Sequence, residues 1–420
     1  MTVSEAQNAP VVAKPSPHPG LGFVEFVILI AGLMAINGLA IDSMLPALPV
    51  IGDELGIAFE NQRQWIITAY LLGFGAFQIV YGPLADRFGR KPILLFGVGT
   101  YALFSLLAAF STSFEFMMVT RVIQGVGSAA GRVLIVAIVR DCYSGRQMAK
   151  VMSLAMIVFL AVPILAPSVG QAIMLVATWH WIFAGLAIFA ALLCTWAAIR
   201  LPETLHPEDR LPIEIGRITQ AFRTVLTSRI AVGYMLAMTL VLGALFGFIN
   251  SAQQVFADIF DEPKRFTIIF ALIALSMAAA SFTNSRIVEK LGTRRVSHSA
   301  LIGFVFFSGV NLITALTGHQ TLISFSILQA ATMFCFGLTG PNFGAMAMEP
   351  VGHVAGTASS IQGFVTTLGG AVLGFLIGQQ FNGTTVPMLL GYMGLGALAI
   401  LVVWIAEGKL FQPLNEPKKG

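Results

Sequence analysis

The sequence predicts an all-helical integral membrane protein whose twelve spans form two halves of six. Three observations lead to this prediction. Of the 420 residues, 56% are hydrophobic and only 10% are charged, whereas soluble domains carry about 25% charged residues. The apolar residues fall into runs of the length that a bilayer span requires, about 20 residues each. The longest polar interruption, residues 202–228, leaves six such runs on either side.

The candidate spans follow one another at short intervals. We place them near 23–45, 63–85, 92–111, 115–139, 148–172, 179–200, 229–256, 267–286, 297–317, 321–346, 355–380 and 386–406. The predicted organisation is a cytoplasmic tail at 1–22, a bundle at 23–201, a cytoplasmic linker at 202–228, a second bundle at 229–407 and a tail at 408–420. Residues 1–20 contain four prolines and no apolar core, which predicts a disordered tail rather than a cleavable signal peptide.

The distribution of basic residues predicts the orientation in the membrane. If both termini lie inside, only Arg63, Lys264 and Arg265 of the 24 Lys and Arg residues fall outside, and Arg121 and Arg132 fall within a span. The other 19 are then cytoplasmic. Lys and Arg concentrate on the cytoplasmic side of membrane proteins. We therefore predict a multi-pass membrane protein with both termini in the cytoplasm.

A charged stretch between the second and third spans, Gly82 to Pro92, has a weaker copy in the second half. Asp86-Arg87-Phe-Gly89-Arg90-Lys91 aligns with Glu289-Lys290-Leu-Gly292-Thr-Arg294, with an offset of 203 residues for acid, base, glycine and second base alike. Both copies lie between the second and third spans of their half. Together with the equal span numbers, this match indicates a duplicated six-span unit arranged as parallel repeats.

Several motifs carry a family resemblance over essentially the whole chain. Gly82-x-x-x-Asp86-Arg87-x-Gly89-Arg90-Lys91, Arg121-x-x-Gln124-Gly125-x-Gly127-x-Ala129, Ala166-Pro167-x-x-Gly170, Asp42 followed by Pro46, and Ile138-Val-Arg140-Asp141 carry it. On these residues the chain resembles the major facilitator superfamily and, within it, the twelve-span drug–proton antiporters of the bicyclomycin and chloramphenicol type. The resemblance implies two six-helix bundles related by pseudo-two-fold symmetry, located in the inner membrane of a bacterium. It is strong in the first half and diffuse in the second.

The resemblance assigns a cytoplasmic gate to the charged stretch. Its residues are Gly82, Asp86, Arg87, Gly89, Arg90, Lys91 and Arg140. It implies that Asp86 holds the start of the eleventh span, near Gly356, Thr357 and Ser359, through the partial positive charge of a helix N-terminus. The alternative is a positive turn that only sets the topology. Pro163, Pro167 and Gly170 correspond to an antiporter-type kink in the fifth span, although the upstream glycines of that motif are missing; the alternative is a kink without directional meaning.

Asp42 and Arg121 are the predicted proton-coupling residues. A carboxylate within an apolar span is costly and usually marks a cavity or proton path, and a low dielectric favours its neutral form. The alternative is that Asp42 is hydrated at the outer interface. Arg121 and Arg132 lie about 16.5 Å apart and nearly in line on one helix, with Gln124 and Ser128 between them. Arg121 corresponds to the family's coupling arginine, whereas Arg132 either faces a cavity or extends toward the cytoplasm.

The second half offers neutral polar and aromatic residues, which suit a small lipophilic substrate bound between the halves. The predicted cavity residues are Asp42, Tyr70, Gln124, Ser128, Phe246, Asn250, Asn342 and Gln362. The predicted function is proton-coupled efflux of drug-like compounds by alternating access. A proton-coupled symporter, or an exporter of a specific metabolite with the same fold, is the nearest alternative.

Other classes of protein lack support in the sequence. The six histidines are scattered, the three cysteines lie far apart, and no Gly-x-x-x-x-Gly-Lys-Ser/Thr motif occurs, so we predict no catalytic residues, metal, disulfide or nucleotide cofactor. A membrane enzyme or a receptor is therefore the weaker alternative. The expected energy source is a proton gradient. The expected partners are protons, a lipophilic small molecule and the lipid bilayer, without nucleic acid, and we expect a monomer.

Overall fold

A computed structural model describes residues 21–212, 215–263 and 265–411 of the chain. The helices of the first half are α1 (Phe23–Asp42), α2 (Leu48–Glu54), α3 (Trp65–Phe88), α4 (Arg90–Ala108), α5 (Phe114–Cys142), α6 (Gly145–Val176) and α7 (His180–Arg200). Those that follow are α8 (Ile215–Thr227), α9 (Arg229–Gln254), α10 (Phe266–Leu291), α11 (Thr293–Leu316), α12 (Leu322–Met348), α13 (Ala355–Gln379) and α14 (Val386–Glu407). The predicted disordered tail at 1–20 and the end of the second tail, 412–420, lie outside the described residues.

Twelve helical segments of the described chain are long and apolar enough to cross a membrane. Most of their bounds agree with the predicted spans to within a few residues, although the first span continues to Glu54 and the tenth to Gly352. The prediction of an all-helical protein with twelve spans is confirmed. Two of the described helices are not spans of their own. Helix α2 extends the first span after a turn at Leu45–Ala47, and α8 is an amphipathic helix within the predicted linker.

The charged stretch in each half is helical apart from one glycine. Helix α3 continues to Phe88 and α4 begins at Arg90, so Gly89, with φ +106°, is the break between them. Gly292, with φ +81°, separates α10 from α11 in the same way. Only glycine adopts such a backbone without strain. The predicted turn from Gly82 to Pro92 is therefore shortened to a single residue. We call the end of the bundle that carries these two breaks the basic end.

The two halves pack against each other mainly through α3 with α13 and through α6 with α10. The first of these contacts extends over most of the length of the helices. Trp65 packs on Phe375 with ring centroids 4.2 Å apart, and Gln78 donates to Thr367 Oγ1 at 3.1 Å. A Cβ on Gly75 would lie 2.9 Å from the backbone nitrogen of Leu368. Small residues of this kind let membrane helices approach closely.

Candidate functional site

A buried arginine on α5 is the centre of the polar site in the first half. Arg121 is fully buried. Its Nε donates to the carbonyl of Ile66 at 2.9 Å and its Nη2 to the carbonyl of Ala40 at 3.1 Å. Its Nη1 donates to Oε1 of Gln124. The guanidinium therefore joins α5 to the ends of α1 and α3, and backbone carbonyls supply most of its hydrogen-bond acceptors.

Aromatic and hydroxyl groups complete the surroundings of Arg121. Its guanidinium carbon lies 4.5 Å from the centre of the Tyr70 ring, a cation–π contact. The hydroxyl of Tyr70 lies 2.8 Å from Asn37 Oδ1 and 2.7 Å from Ser128 Oγ. Gln124 donates to Ser105 Oγ at 2.6 Å. The structure thus brings together the predicted residues Arg121, Tyr70, Gln124 and Ser128.

Two further members of this cluster escaped the sequence analysis. Asn37 is half-buried on α1 and accepts a hydrogen bond from Tyr70. Ser105 is buried on α4. Asn37 had a usable signal, because an amide in the middle of an apolar span needs a hydrogen-bond partner. Ser105 had none, since serine hydroxyls in membrane helices commonly bond the preceding turn, as Ser105 also does.

Asp42 is the last residue of α1 and is 4% exposed. Its carboxylate makes no hydrogen bond or ion pair with any residue that the structure describes. Arg121 contacts the carbonyl of Ala40, two residues earlier, rather than the carboxylate of Asp42. Asp42 is therefore buried rather than hydrated at an interface, and any influence of Arg121 on it acts across the end of α1.

One of the predicted kink residues, Gly170, packs against the same end of α1. Helix α6 contains Pro163 and Pro167 within one continuous helix. A Cβ on Gly170 would overlap the carbonyl oxygen of Ser43, the residue after Asp42. Glycine at this position is what allows α6 to approach the backbone beside Asp42. Gly170 thus brings α6 against the residue that follows Asp42.

Arg132 lies about three turns beyond Arg121 toward the basic end. In contrast to Arg121 it is exposed, and it has neither an ion-pair nor a hydrogen-bond partner within the described ranges. The two arginines thus differ in environment: one is fixed within the helices, and the other is free to meet solvent or a ligand.

The predicted residues of the second half do not form one constellation. Asn342 exchanges hydrogen bonds with Asn284 of α10, at 2.8 Å and 3.4 Å. Gln362 lies 3.5 Å from the carbonyl of Gly344. Phe246 is 7% exposed, and its Cβ lies where a side chain on Gly374 would be, so it packs on α13. Asn250 is buried, and both polar atoms of its amide are unpaired within the described chain.

Four neutral amides join the halves at the end opposite the basic end. We call Asn61, Gln64, Gln254 and Gln379 the amide latch. Gln64 Nε2 donates to Gln254 Oε1 at 2.6 Å, and Gln254 Nε2 donates to Asn61 Oδ1 at 2.9 Å. Gln379 Nε2 donates to the carbonyl of Asn61 at 2.7 Å. The sequence analysis missed this latch, because the residues lie outside or at the ends of the spans.

Charged residues meet at the basic end of the first half. Asp86 Oδ1 accepts from Arg90 at 2.6 Å, and Arg90 Nε also donates to Asp141 at 3.2 Å. The described contacts of the Asp86 side chain therefore lie within its own half, not at the start of α13 as the resemblance implied. The reason is local: Arg90 lies one turn after Asp86, so the ion pair forms without any interdomain contact. Arg87 and Arg140 are exposed and form no ion pair among the described residues.

Two residues that follow α7 form hydrogen bonds with the backbone of this charged region. Glu203 accepts from the backbone N–H groups of Arg90 and Lys91, at 2.9 Å and 3.3 Å. A carboxylate at this position accepts hydrogen bonds from free N–H groups of the first turn of α4 and interacts favourably with the positive end of the helix dipole. The backbone N–H of Leu211 then donates to the carbonyl of Asp86 at 3.0 Å.

The linker also contacts the second half. Val225 of α8 is 3% exposed and belongs to one apolar cluster with Ala358 and Ile361 of α13. The beginning of the linker is thus bonded to the first half, and its helix is packed on the second. The sequence analysis treated this segment as a polar connection only.

The second half has its own charged cluster at the basic end. Arg294 Nε donates to Glu407 at 2.8 Å and its Nη2 to Glu349 at 3.4 Å. The hydroxyl of Tyr234 donates to Glu407 at 2.7 Å and lies 3.1 Å from His298 Nε2. Because His298 Nδ1 accepts from the backbone N–H of Phe411, the proton of a neutral His298 lies on Nε2.

Comparison with known proteins agrees with this architecture. The model of the Major Facilitator Superfamily matches residues 30–374. The chain is 35% identical over 361 residues to the Bacillus subtilis MFS-type transporter YdgK, covering 85% of this chain and 89% of that protein. It is 32% identical over 383 residues to the bicyclomycin resistance protein homolog of Haemophilus influenzae, covering 90% and 94%.

A solved structure shares the fold at low identity. The xylose transporter XylE from E. coli, in a partially occluded inward open conformation, matches with a TM-score of 0.70 and 14% identity, covering 91% of this chain and 96% of that one. At this identity the likeness concerns the fold alone.

Proposed function

Because this chain belongs to the major facilitator superfamily, and is thus a membrane transporter and not an enzyme, we propose that it exports small lipophilic drug-like compounds in exchange for protons. The similarity to the bicyclomycin resistance protein homolog supports a drug substrate. The abundance of Lys and Arg at the basic end supports placing that end, and both termini, in the cytoplasm.

The observation that carries the proton-coupling proposal is the unpaired, buried Asp42. Moving an ionised carboxylate out of water without a partner costs several kcal/mol or more, so the neutral form is favoured in such a place. A group that is ionised when water reaches it and neutral when water is excluded can bind and release one proton per cycle. Asp42 has this property because neither Arg121 nor another described cation lies within ion-pair distance to hold the charge.

Arg121 supplies the fixed part of the site. Its three donor groups are occupied by Ile66, Ala40 and Gln124, so it holds the ends of α1 and α3 at a constant position relative to α5. We assign it the role of a positioning residue for Asp42. The adjoining cluster of Tyr70, Asn37 and Ser128 offers hydroxyl and amide groups that can orient a substrate.

Alternating access then requires the two ends to open in turn. In this conformation the amide latch closes the end nearer Asp42, since α1 begins at the basic end and ends at Asp42. We propose that opening the latch gives protons from the outer medium access to Asp42 and releases the substrate. Closing the latch, as in this conformation, separates Asp42 from the outer medium. Opening of the basic end then gives Asp42 access to the cytoplasmic side, where it loses the proton and substrate binds again.

Reconstituted vesicles with a dye-reported pH gradient test this proposal. We expect bicyclomycin or chloramphenicol to dissipate an imposed gradient when the wild type is present and not when Asp42→Asn is present. Asp53→Asn is the matched control, because Asp53 is an exposed carboxylate that pairs with Arg63 at 3.0 Å. The assignment of Asp42 is contradicted if the drug still dissipates the gradient in vesicles with Asp42→Asn. It is also contradicted if the drug no longer dissipates the gradient with Asp53→Asn at normal expression.

Direction is tested by measuring radiolabelled drug in the same vesicles. Proton entry into the lumen should be accompanied by drug leaving it. Drug uptake together with protons indicates the alternative, a symporter. A wild type that moves no drug but responds to a polar metabolite indicates an exporter of a specific metabolite.

A further inference from the structure

A large apolar cleft lies on the second half, away from the site described above. Its volume is about 850 Å³. Helix α12 forms its floor, and α10 and α11 form its walls. The floor and walls carry small side chains at Ala300, Ala330, Ala331 and Ser299, and these leave the space that larger residues fill elsewhere.

The cleft has the length of one leaflet of the bilayer. On α11 its lining runs from Arg295 to Phe307 and on α10 from Leu291 back to Ser276. At 1.5 Å per residue these stretches extend about 18 Å and 22 Å. The hydrocarbon core is about 30 Å thick, so the cleft begins at the basic end and ends near the middle of the membrane. An acyl chain of one leaflet has this reach.

The mouth of the cleft carries an arginine that forms no ion pair or hydrogen bond within the described chain. Arg294 is engaged by Glu407 and Glu349, whereas the neighbouring Arg295 is exposed and has no ion-pair or hydrogen-bond partner in the described chain. Ser299 lies one turn further along the same face and is also exposed. A guanidinium and a hydroxyl so placed are donors for a phosphate group.

Charge around the mouth favours an anionic ligand. Arg286 and Lys290, both exposed on α10, lie at the same end, and Glu289 is the acidic residue beside them. Basic pockets between membrane helices on the cytoplasmic side bind anionic lipid head groups. We propose that this cleft binds one anionic phospholipid, with an acyl chain along α12 and the phosphate at Arg295 and Ser299. The inference does not rest on the proposed transport function.

Native mass spectrometry of the purified full-length protein tests the proposal. Phosphatidylglycerol and phosphatidylcholine are added separately, and the population of protein with one bound lipid is compared. We expect the wild type to retain phosphatidylglycerol preferentially. Arg295→Gln should reduce that preference about fivefold, which corresponds to roughly 1 kcal/mol for one basic residue near an anionic group. Arg146→Gln, an exposed cation of the first half, should leave it unchanged.

A second variant tests the apolar part of the site. Ala331→Phe fills the floor of the cleft, and we expect it to lower retention of both lipids while Arg295 is intact. The proposal is overturned if Arg295→Gln keeps the wild-type preference, or if Ala331→Phe, shown by its melting temperature to be folded, retains lipid normally. It is also overturned if free glycerol phosphate displaces the lipid, or if bicyclomycin does so, since the cleft would then be a site for soluble anions or for substrate.

Discussion

Nε2 of Gln64, in the first half of the chain, donates a 2.6 Å hydrogen bond to Oε1 of Gln254 in the second. Both side chains are nearly fully buried. The amide latch to which they belong consists of neutral groups, so its hydrogen bonds form and break without changing the charge of either half. In the proposed mechanism, closing this end therefore leaves proton binding and release to Asp42.

A reversible crosslink across the latch should stop transport. Asn61→Cys with Gln379→Cys joins residues that exchange hydrogen bonds between the halves, and the background replaces Cys142, Cys194 and Cys335 by Ala. We expect a short bifunctional methanethiosulfonate, which forms a mixed disulfide with each thiol and releases sulfinate, to abolish drug-dependent proton flux, and a reductant to restore it. The pair Asp53→Cys and Arg63→Cys crosslinks within one half and should leave flux intact. Full flux through the crosslinked latch contradicts the proposed opening.

Enlarging Gly170 should separate α6 from the end of α1. Any side chain there overlaps the carbonyl oxygen of Ser43, and overpacking of this kind costs about 1–3 kcal/mol. We expect Gly170→Val to melt several degrees below the wild type and to lose transport. Gly185→Val on α7 is the control, because no atom lies within 4 Å of a Cβ at that position. Equal melting temperatures for the two variants count against the close approach.

Removing the hydroxyl of Tyr234 should destabilise the basic end of the second half. Tyr234→Phe deletes a donor to Glu407 and leaves His298 Nε2 without its acceptor. Buried polar groups that lose their partners cost about 1–3 kcal/mol each. Tyr392→Phe is matched for burial and loses one bond, at 3.3 Å, to Gln329. Thermal melting in detergent should show the larger decrease for Tyr234→Phe, and the reverse order is inconsistent with the network.

Arg121 should not tolerate lysine. A guanidinium donates in three directions at once, to Ile66, Ala40 and Gln124, and a single ammonium on a flexible chain does not reproduce that geometry. We expect Arg121→Lys to lower the rate of drug-dependent proton flux at least tenfold. Arg132→Lys retains an exposed, unpaired cation and should stay within about twofold of the wild type. Wild-type flux for Arg121→Lys would show that charge alone suffices at this position.

The spans could be predicted because their signals are local. A run of about 20 apolar residues defines a membrane helix wherever it occurs, and Gly89 and Gly292 mark the breaks through their shared spacing. The cluster of Arg121, Gln124 and Ser128 could be predicted for the same reason, since positions on one helix face follow from its period. Asp42 could be singled out because a lone carboxylate in an apolar run is energetically costly and normally faces a cavity or a proton path.

The contacts between helices could not be predicted. Arg121 donates to the carbonyls of Ile66 and Ala40. Every residue has a backbone carbonyl, so the sequence does not indicate which of them will accept a hydrogen bond from a side chain. Gln64 and Gln254 are 190 residues apart, and neutral amides at helix ends are ordinary residues on their own. Asp86 could be placed at the basic end but not given its partner, because the resemblance implied the start of α13, whereas the carboxylate accepts from Arg90 one turn away.

The two attachments of the linker limit how far the two halves can separate at the basic end. Leu211 is bonded to Asp86 on the first half, and α8, which begins at Ile215, packs on α13 of the second half through Val225. The chain between Leu211 and Val225 consists of four residues that reach at most about 14 Å when extended, followed by ten helical residues that add about 15 Å. While both attachments hold, the mouth at the basic end can widen only as far as this tether allows. Lengthening or cutting the tether would then change how large a molecule can enter, without altering a residue that touches it.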